Sequence, residues 1–184
     1  MNTKNKAEKS GVSRLILLIP AIAVFIVVVM VLLRTFVVSV VIVNGGSMEP
    51  AMKQGEKWLV NRLDKTCEKN DIVIYHSSSE SRNMSVSRVI AVSGDTVYID
   101  FSSGSLYVNG EKLDEPYAAE STKTGGKYIS GLIESGRYGM AEPIVVESGK
   151  VFVMGDNRNN SRDSREFGQI SESMICGTVV RKIK

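Results

Sequence analysis

A serine set between glycines and a Met-Glu-Pro is where this sequence could do chemistry. Gly45-Gly46-Ser47-Met48-Glu49-Pro50 follows an apolar, β-branched run, so Ser47 falls on a turn at the end of a strand. A hydroxyl of ordinary pKa attacks nothing unless a base takes its proton and backbone N–H groups approach the carbonyl under attack. The flanking glycines permit that approach, although a plain turn has the same composition. A second polar concentration follows the apolar VFVM: residues 155–165 read Gly-Asp-Asn-Arg-Asn-Asn-Ser-Arg-Asp-Ser-Arg. Short polar side chains bond readily to nearby backbone, so this string predicts a tightly self-bonded loop rather than the interior of a strand or helix. Arg158, Arg162 and Arg165 offset its carboxylates and argue against a cation site. His76 is the only histidine, and Cys67 and Cys176 form no Cys-x-x-Cys or Cys/His spacing. No zinc or thioredoxin-like centre is indicated, and the two thiols either pair or remain thiols.

The elements that must position these residues begin with a membrane segment. Residues 15–33, LILLIPAIAVFIVVVMVLL, carry no charge, and at 1.5 Å per residue they approach the roughly 30 Å thickness of a bilayer interior. The run is longer than a secretory h-region and lacks a small-x-small cleavage site downstream, so it reads as a retained anchor. Lys4, Lys6, Lys9 and Arg14 against Glu8 precede it, which places residues 1–14 in the cytoplasm and residues 35–184 outside. The formal charge of +3 resides in that tail; from Thr35 onward the chain sums to −1, which disfavours nucleic-acid binding. Beyond the anchor, FVVSVVIV predicts a strand leading into Ser47. Further strands are expected at 57–63, 71–76, 84–92, 96–100, 105–113, 143–156 and 175–183, with Asn109-Gly110 as a hairpin turn. Residues 119–142, polar and glycine-rich, predict an irregular excursion. The fold class is mainly β: one N-terminal transmembrane helix, then a single antiparallel β-sheet domain.

Taken together and in order, these segments resemble the type I signal peptidases. GGSMEP resembles that family's nucleophile box, NDIVIYH its strand box, SRVIAVSGD its lysine box, LYVNGEKLDEPY a stretch just beyond, and GDNRNNSRDSR its final box. The resemblance runs from the anchor to the carboxyl end, and the short domain is similar to the Gram-positive branch. It implies an antiparallel β structure lying on the membrane and a serine/lysine dyad in which a buried neutral lysine is the general base, since burial favours the uncharged amine. It implies Ser47 as nucleophile, with its own N–H in the oxyanion hole and Gly45 able to offer backbone only. It further implies Ser161 as the hydroxyl orienting the lysine, Asp163 and Arg165 as a supporting ion pair, and Asp156 and Asn157 as loop-shaping residues. Exported preproteins carrying signal peptides, cleaved after small side chains at −1 and −3, would be the substrates, and membrane lipid would surround the anchor. No cofactor or metal is implied.

One position departs from the pattern. Where the lysine should precede Arg-Val-Ile stands Ser87, whose hydroxyl cannot serve as a base near neutral pH. A hairpin turning near residues 80–81 would set residue 76 opposite 85 and 74 opposite 87, bringing His76 onto the face of Ser87 as a substitute base; a shift of one residue would send it to the other face. Lys53, Lys57 and Lys112 have no positional claim. Three readings follow: an impaired peptidase, a catalytically silent relative that grips extended peptides and assists exported proteins, or a chain in which lysine was replaced by serine to trap substrate.

Overall fold

A computed structural model of the protein describes residues 18–32, 37–63, 66–77 and 84–183. The chain divides into two units, split after Ser39. In the first, residues 18–32 form helix α1, uniformly uncharged and with nearly every side chain exposed. Fifteen helical residues rise only about 22 Å, and among the described residues no helix is long and apolar enough to cross a membrane. The ends of the expected anchor, residues 15–17 and 33, lie outside the described residues, as does the tail 1–14.

The second unit is built on antiparallel strands. β1 (Val38–Ile42), β2 (Lys57–Asn61), β3 (Ile72–His76), β4 (Met84–Ala91), β9 (Lys150–Met154), β10 (Ile170–Ser171) and β11 (Ile175–Ile183) form a seven-stranded sheet in the order β1-β2-β11-β3-β4-β9-β10. A four-stranded sheet, β7-β6-β5-β8, holds β5 (Thr96–Asp100), β6 (Ser105–Val108), β7 (Glu111–Lys112) and β8 (Ile144–Val145). The β6–β7 hairpin turns at Asn109-Gly110, both at positive φ, the geometry this dipeptide favours.

Three cores fix the layers. Ile90, Ala91, Phe152 and Met154 of the large sheet meet Val97, Ile99 and Leu106 of the small one. Val73, Tyr75, Val89, Val151, Val153, Ile170 and Ile175 form a second core on the large sheet. A third joins Val43, Met48 and Met52 to Trp58, Ile72, Val86 and Val179. Because Val73 and Tyr75 enter one core while Ile72 enters another, β3 is buried on both faces.

Two expectations need correction. The segment 119–142 is not wholly irregular, because it contains α2 (Lys127–Glu134). Its single fully buried residue, Ile129, joins the first core with Tyr128 and Leu132 beside it, and two turns are too short for a 3.6-residue period to show in sequence. The loop 155–165 is self-bonded as expected but also holds a 3₁₀ turn at Arg158–Asn160 and the start of a one-turn helix, α3 (Ser164–Phe167), capped by the Asp163 side chain.

Candidate active site

The turn carrying Ser47 is anchored by its neighbours. Met48 and Met52, each 1% exposed, plug it onto the sheet, and Met52 N–H donates to Met48 O at 2.8 Å. Gly45 adopts φ +104° with open space around its Cα, so backbone conformation rather than crowding requires glycine there. From the other side, the loop after β9 holds two successive carbonyls. Asn157 Nδ2 donates to Gly46 O at 3.0 Å, and Asn157 N–H and Ser161 Oγ both donate to Ser47 O at 3.0 Å. The Ser161 hydroxyl also lies 2.6 Å from Asn157 O, so its single proton is committed to backbone. Gly155 makes this approach possible: a Cβ there would overlap Ser161 Oγ and stand 2.6 Å from Ser47 O. Ser47 faces a groove of about 910 Å³ lined also by Ile42, Ile74, Met84, Val86 and Arg162.

Below the loop, Arg165 grips Asp163 through Nε at 2.9 Å and a second guanidinium nitrogen at 2.7 Å, with both side chains buried. Gly155 N–H donates to the same carboxylate at 3.0 Å, so the ion pair braces the glycine that touches Ser47. A second pair joins the partly buried Arg88, the residue after Ser87, to the buried Asp156 at 2.9 and 2.6 Å. Arg88 stacks 4.1 Å from the Tyr117 ring, and Arg158 bonds Glu115 at 2.6 Å beside it. Burial, assisted by the Glu115 charge, pushes the Tyr117 phenol up to about 12.

Ser87 is 2% exposed, and its hydroxyl shares a 3.1 Å hydrogen bond with the buried hydroxyl of Tyr75. Burial pushes Tyr75 up to about 12; the Ser87 hydrogen bond works against this shift and the Asp163 charge adds to it. A phenol with that pKa is protonated at neutral pH, so neither member of the pair can take a proton. The Arg88↔Met154 pairing brings Gly155 level with Ser87, and Gly155 in turn meets the Ser47 carbonyl.

The expected hairpin register is corrected by one residue. His76 pairs with Met84, Ile74 with Val86 and Val73 with Ser87. Directly paired residues share a face, so His76 lies on the face opposite Ser87. Ile72-Val73-Ile74-Tyr75 is apolar at every position, and a strand buried on both sides carries no alternation from which its register can be read. The disulfide alternative is also settled, since Cys67 and Cys176 are both half-buried thiols. Among the described residues, no group of His, Cys, Asp or Glu is placed to hold a metal ion.

Sequence reasoning missed Tyr75 as the partner of Ser87. Its signal was a phenolic hydroxyl in an otherwise apolar strand, since a buried phenol needs a partner. It also missed Gly155, because a contact between residues this far apart in sequence has no local signature.

Comparison with known proteins bears on the family. The family model "Signal peptidase, peptidase S26" matches residues 15–183. Signal peptidase IB of Staphylococcus aureus (strain Mu50) is 39% identical over 158 residues, covering 83% of this chain and 81% of the relative. Signal peptidase I of Bacillus amyloliquefaciens is 40% identical over 151 residues, covering 80% and 74%. A crystal structure of a signal peptidase I from Enterococcus faecalis is 26% identical with a TM-score of 0.48, covering 62% of this chain and 97% of that one. On the family match and these identities, the chain belongs to the signal peptidase family, peptidase S26, a family of hydrolases that cut peptide bonds.

Proposed function

We propose that this chain removes N-terminal signal peptides from exported preproteins, cleaving after small-x-small sequences with Ser47 as nucleophile. The observation that carries this reading is the pinned Ser47 carbonyl beside an open groove: Asn157 and Ser161 fix the turn while the rest of Ser47 faces the cavity. Residues 41–44 on one side and 84–86 on the other leave room for an extended segment to lie between them, the geometry of strand addition. On this reading residues 15–33 anchor the chain in lipid, residues 1–14 are cytoplasmic, and the domain works on the outer face.

Ser47 Oγ would attack the scissile carbonyl, forming the C–O bond of an acyl-enzyme while the peptide C–N bond breaks. The Ser47 N–H would stabilise the developing oxyanion and the Ser47 hydroxyl proton would pass to the leaving amine; water would then attack the ester, breaking the C–O bond, releasing the carboxylate of the signal peptide and returning a proton to Ser47 Oγ. With Ser87 at the base position, solvent must mediate that proton transfer. A missing general base costs about 10²–10⁴-fold in rate, so turnover is slow. A second reading, binding without cutting, is favoured by the Tyr75–Ser87 bond, which occupies the base position with two neutral hydroxyls.

The test uses purified protein in detergent with a model preprotein, comparing the unaltered chain with Ser47→Ala. Product that disappears in Ser47→Ala supports slow cleavage. Saturable binding without product supports the second reading, and absence of both refutes the pair.

A further inference from the structure

The walls of the groove beside Ser47 are nearly uncharged. Apolar side chains, small residues and three asparagines make up the lining, and among the described lining residues Arg162 is the one charged side chain. It is oriented but poorly neutralised. Its side chain is 76% exposed, and its guanidinium lies 5.2 Å from the Phe167 ring. The carboxylate within ion-pair range is Glu166, whose Oε1 lies 3.8 Å away, too far for a hydrogen bond, while its Oε2 accepts from Lys127 N–H at 3.0 Å. Elsewhere at the site, the Glu49 carboxylate carbon lies 3.6 Å from where a Cβ on Gly46 would be, a negative charge close to the nucleophile turn.

From this asymmetry we infer that the groove selects a peptide bearing an acidic side chain at the position that lies against Arg162, making Arg162 a specificity-determining residue. The inference rests on the proposed reading of the groove as a peptide site. A carboxylate beside Arg162 gains a charge-assisted partner that Glu166 supplies only at a distance, whereas the same carboxylate beside Gly46 would meet Glu49. A basic side chain at the Arg162 position meets repulsion instead. The effect is that of a rim ion pair: about three- to five-fold in Kd at low salt, fading as salt screens it.

The test is a position scan with the full chain in detergent. Fluorescent peptides spanning a signal-peptide cleavage region carry one Gln moved through successive positions, each then replaced by Glu and by Lys. The expected profile has one position where Glu tightens binding about three- to five-fold over Gln and Lys weakens it. That contrast vanishes in Arg162→Gln, inverts in Arg162→Glu and survives in Arg181→Gln, an exposed arginine outside the groove. A flat scan with intact binding of the Gln peptides overturns the inference and leaves the peptide-site reading standing, as does a contrast that persists in Arg162→Gln. Failure of every peptide to bind overturns both.

Discussion

Installing the missing base should awaken the site, and the structure sets the cost. In Ser87→Lys an amine enters a position only 2% exposed, beside Tyr75 and the core of Val73, Val89 and Val153. For that amine to act as a base near pH 8 its pKa must fall from about 10.4 by some 2–3 units, which costs roughly 3–4 kcal/mol of stability at neutral pH. Extra methylenes in a packed face add about 1–3 kcal/mol. The Tyr75 hydroxyl, 3.1 Å from Ser87 Oγ, stands in the space the longer side chain must enter. Ser87→Lys with Tyr75→Phe should therefore be both more stable and more active than Ser87→Lys alone. Cleavage of a preprotein in detergent should rise about 10²–10⁴-fold over the unaltered chain, with a pH profile that climbs through a single pKa and is lost in Ser47→Ala. Two results would refute this reasoning: lysine variants that fold and bind preprotein yet cut no faster, or an unaltered chain that already cuts at the rate of the lysine variants.

Four further outcomes are expected. His76→Ala should leave any cleavage rate within two-fold, because His76 lies on the face opposite Ser87 and is not among the residues lining the groove; a large loss would show that His76 reaches Ser47 from the face it shares with Ile74 and Met84. Asp163→Asn leaves Arg165 buried without its counter-charge and should cost about 3–5 kcal/mol by urea denaturation, whereas a loss under 1 kcal/mol would show the pair to be dispensable. Gly155→Ala drives a methyl against Ser161 Oγ and the Ser47 carbonyl, and should lower both the melting temperature and the affinity for a bound peptide. The Tyr75 phenol, held up at about 12 against about 10 in the unfolded chain, contributes stability that is complete below pH 10 and lost as pH rises toward 12. Tyr75→Phe should therefore flatten the alkaline limb of a stability–pH curve by about 2 kcal/mol, and an unchanged limb would contradict the assignment.

How much of this was legible in sequence depended on whether the physics was local. The strand runs were legible because β-branched residues bounded by glycine report their conformation over a few positions, as at Asn109-Gly110. The final loop was legible as self-bonded because Asp163 and Arg165 sit within hydrogen-bonding reach along the chain. Helix α2 was hidden by its length, and the β3–β4 register by apolar residues on both faces. The Ser47 contacts with Asn157 and Ser161 link residues over a hundred positions apart, and no local pattern encodes such a pairing.

Those distant contacts also separate the two things the site must do. Holding the turn is the task of Asn157, Ser161, Gly155 and the Asp163–Arg165 pair, and all of them bond to backbone or to each other. Removing a proton from Ser47 is a separate task assigned by family resemblance to position 87, where the hydroxyl is bonded to that of Tyr75. A serine left in a slot shaped for lysine would be a buried polar group in need of a partner, at a cost of about 1–3 kcal/mol. Here the two hydroxyls satisfy each other within the sheet, so the packing around position 87 suits serine as it stands. The turn carrying Ser47 is likewise independent of position 87: none of the hydrogen bonds that hold it runs through the side chain of residue 87.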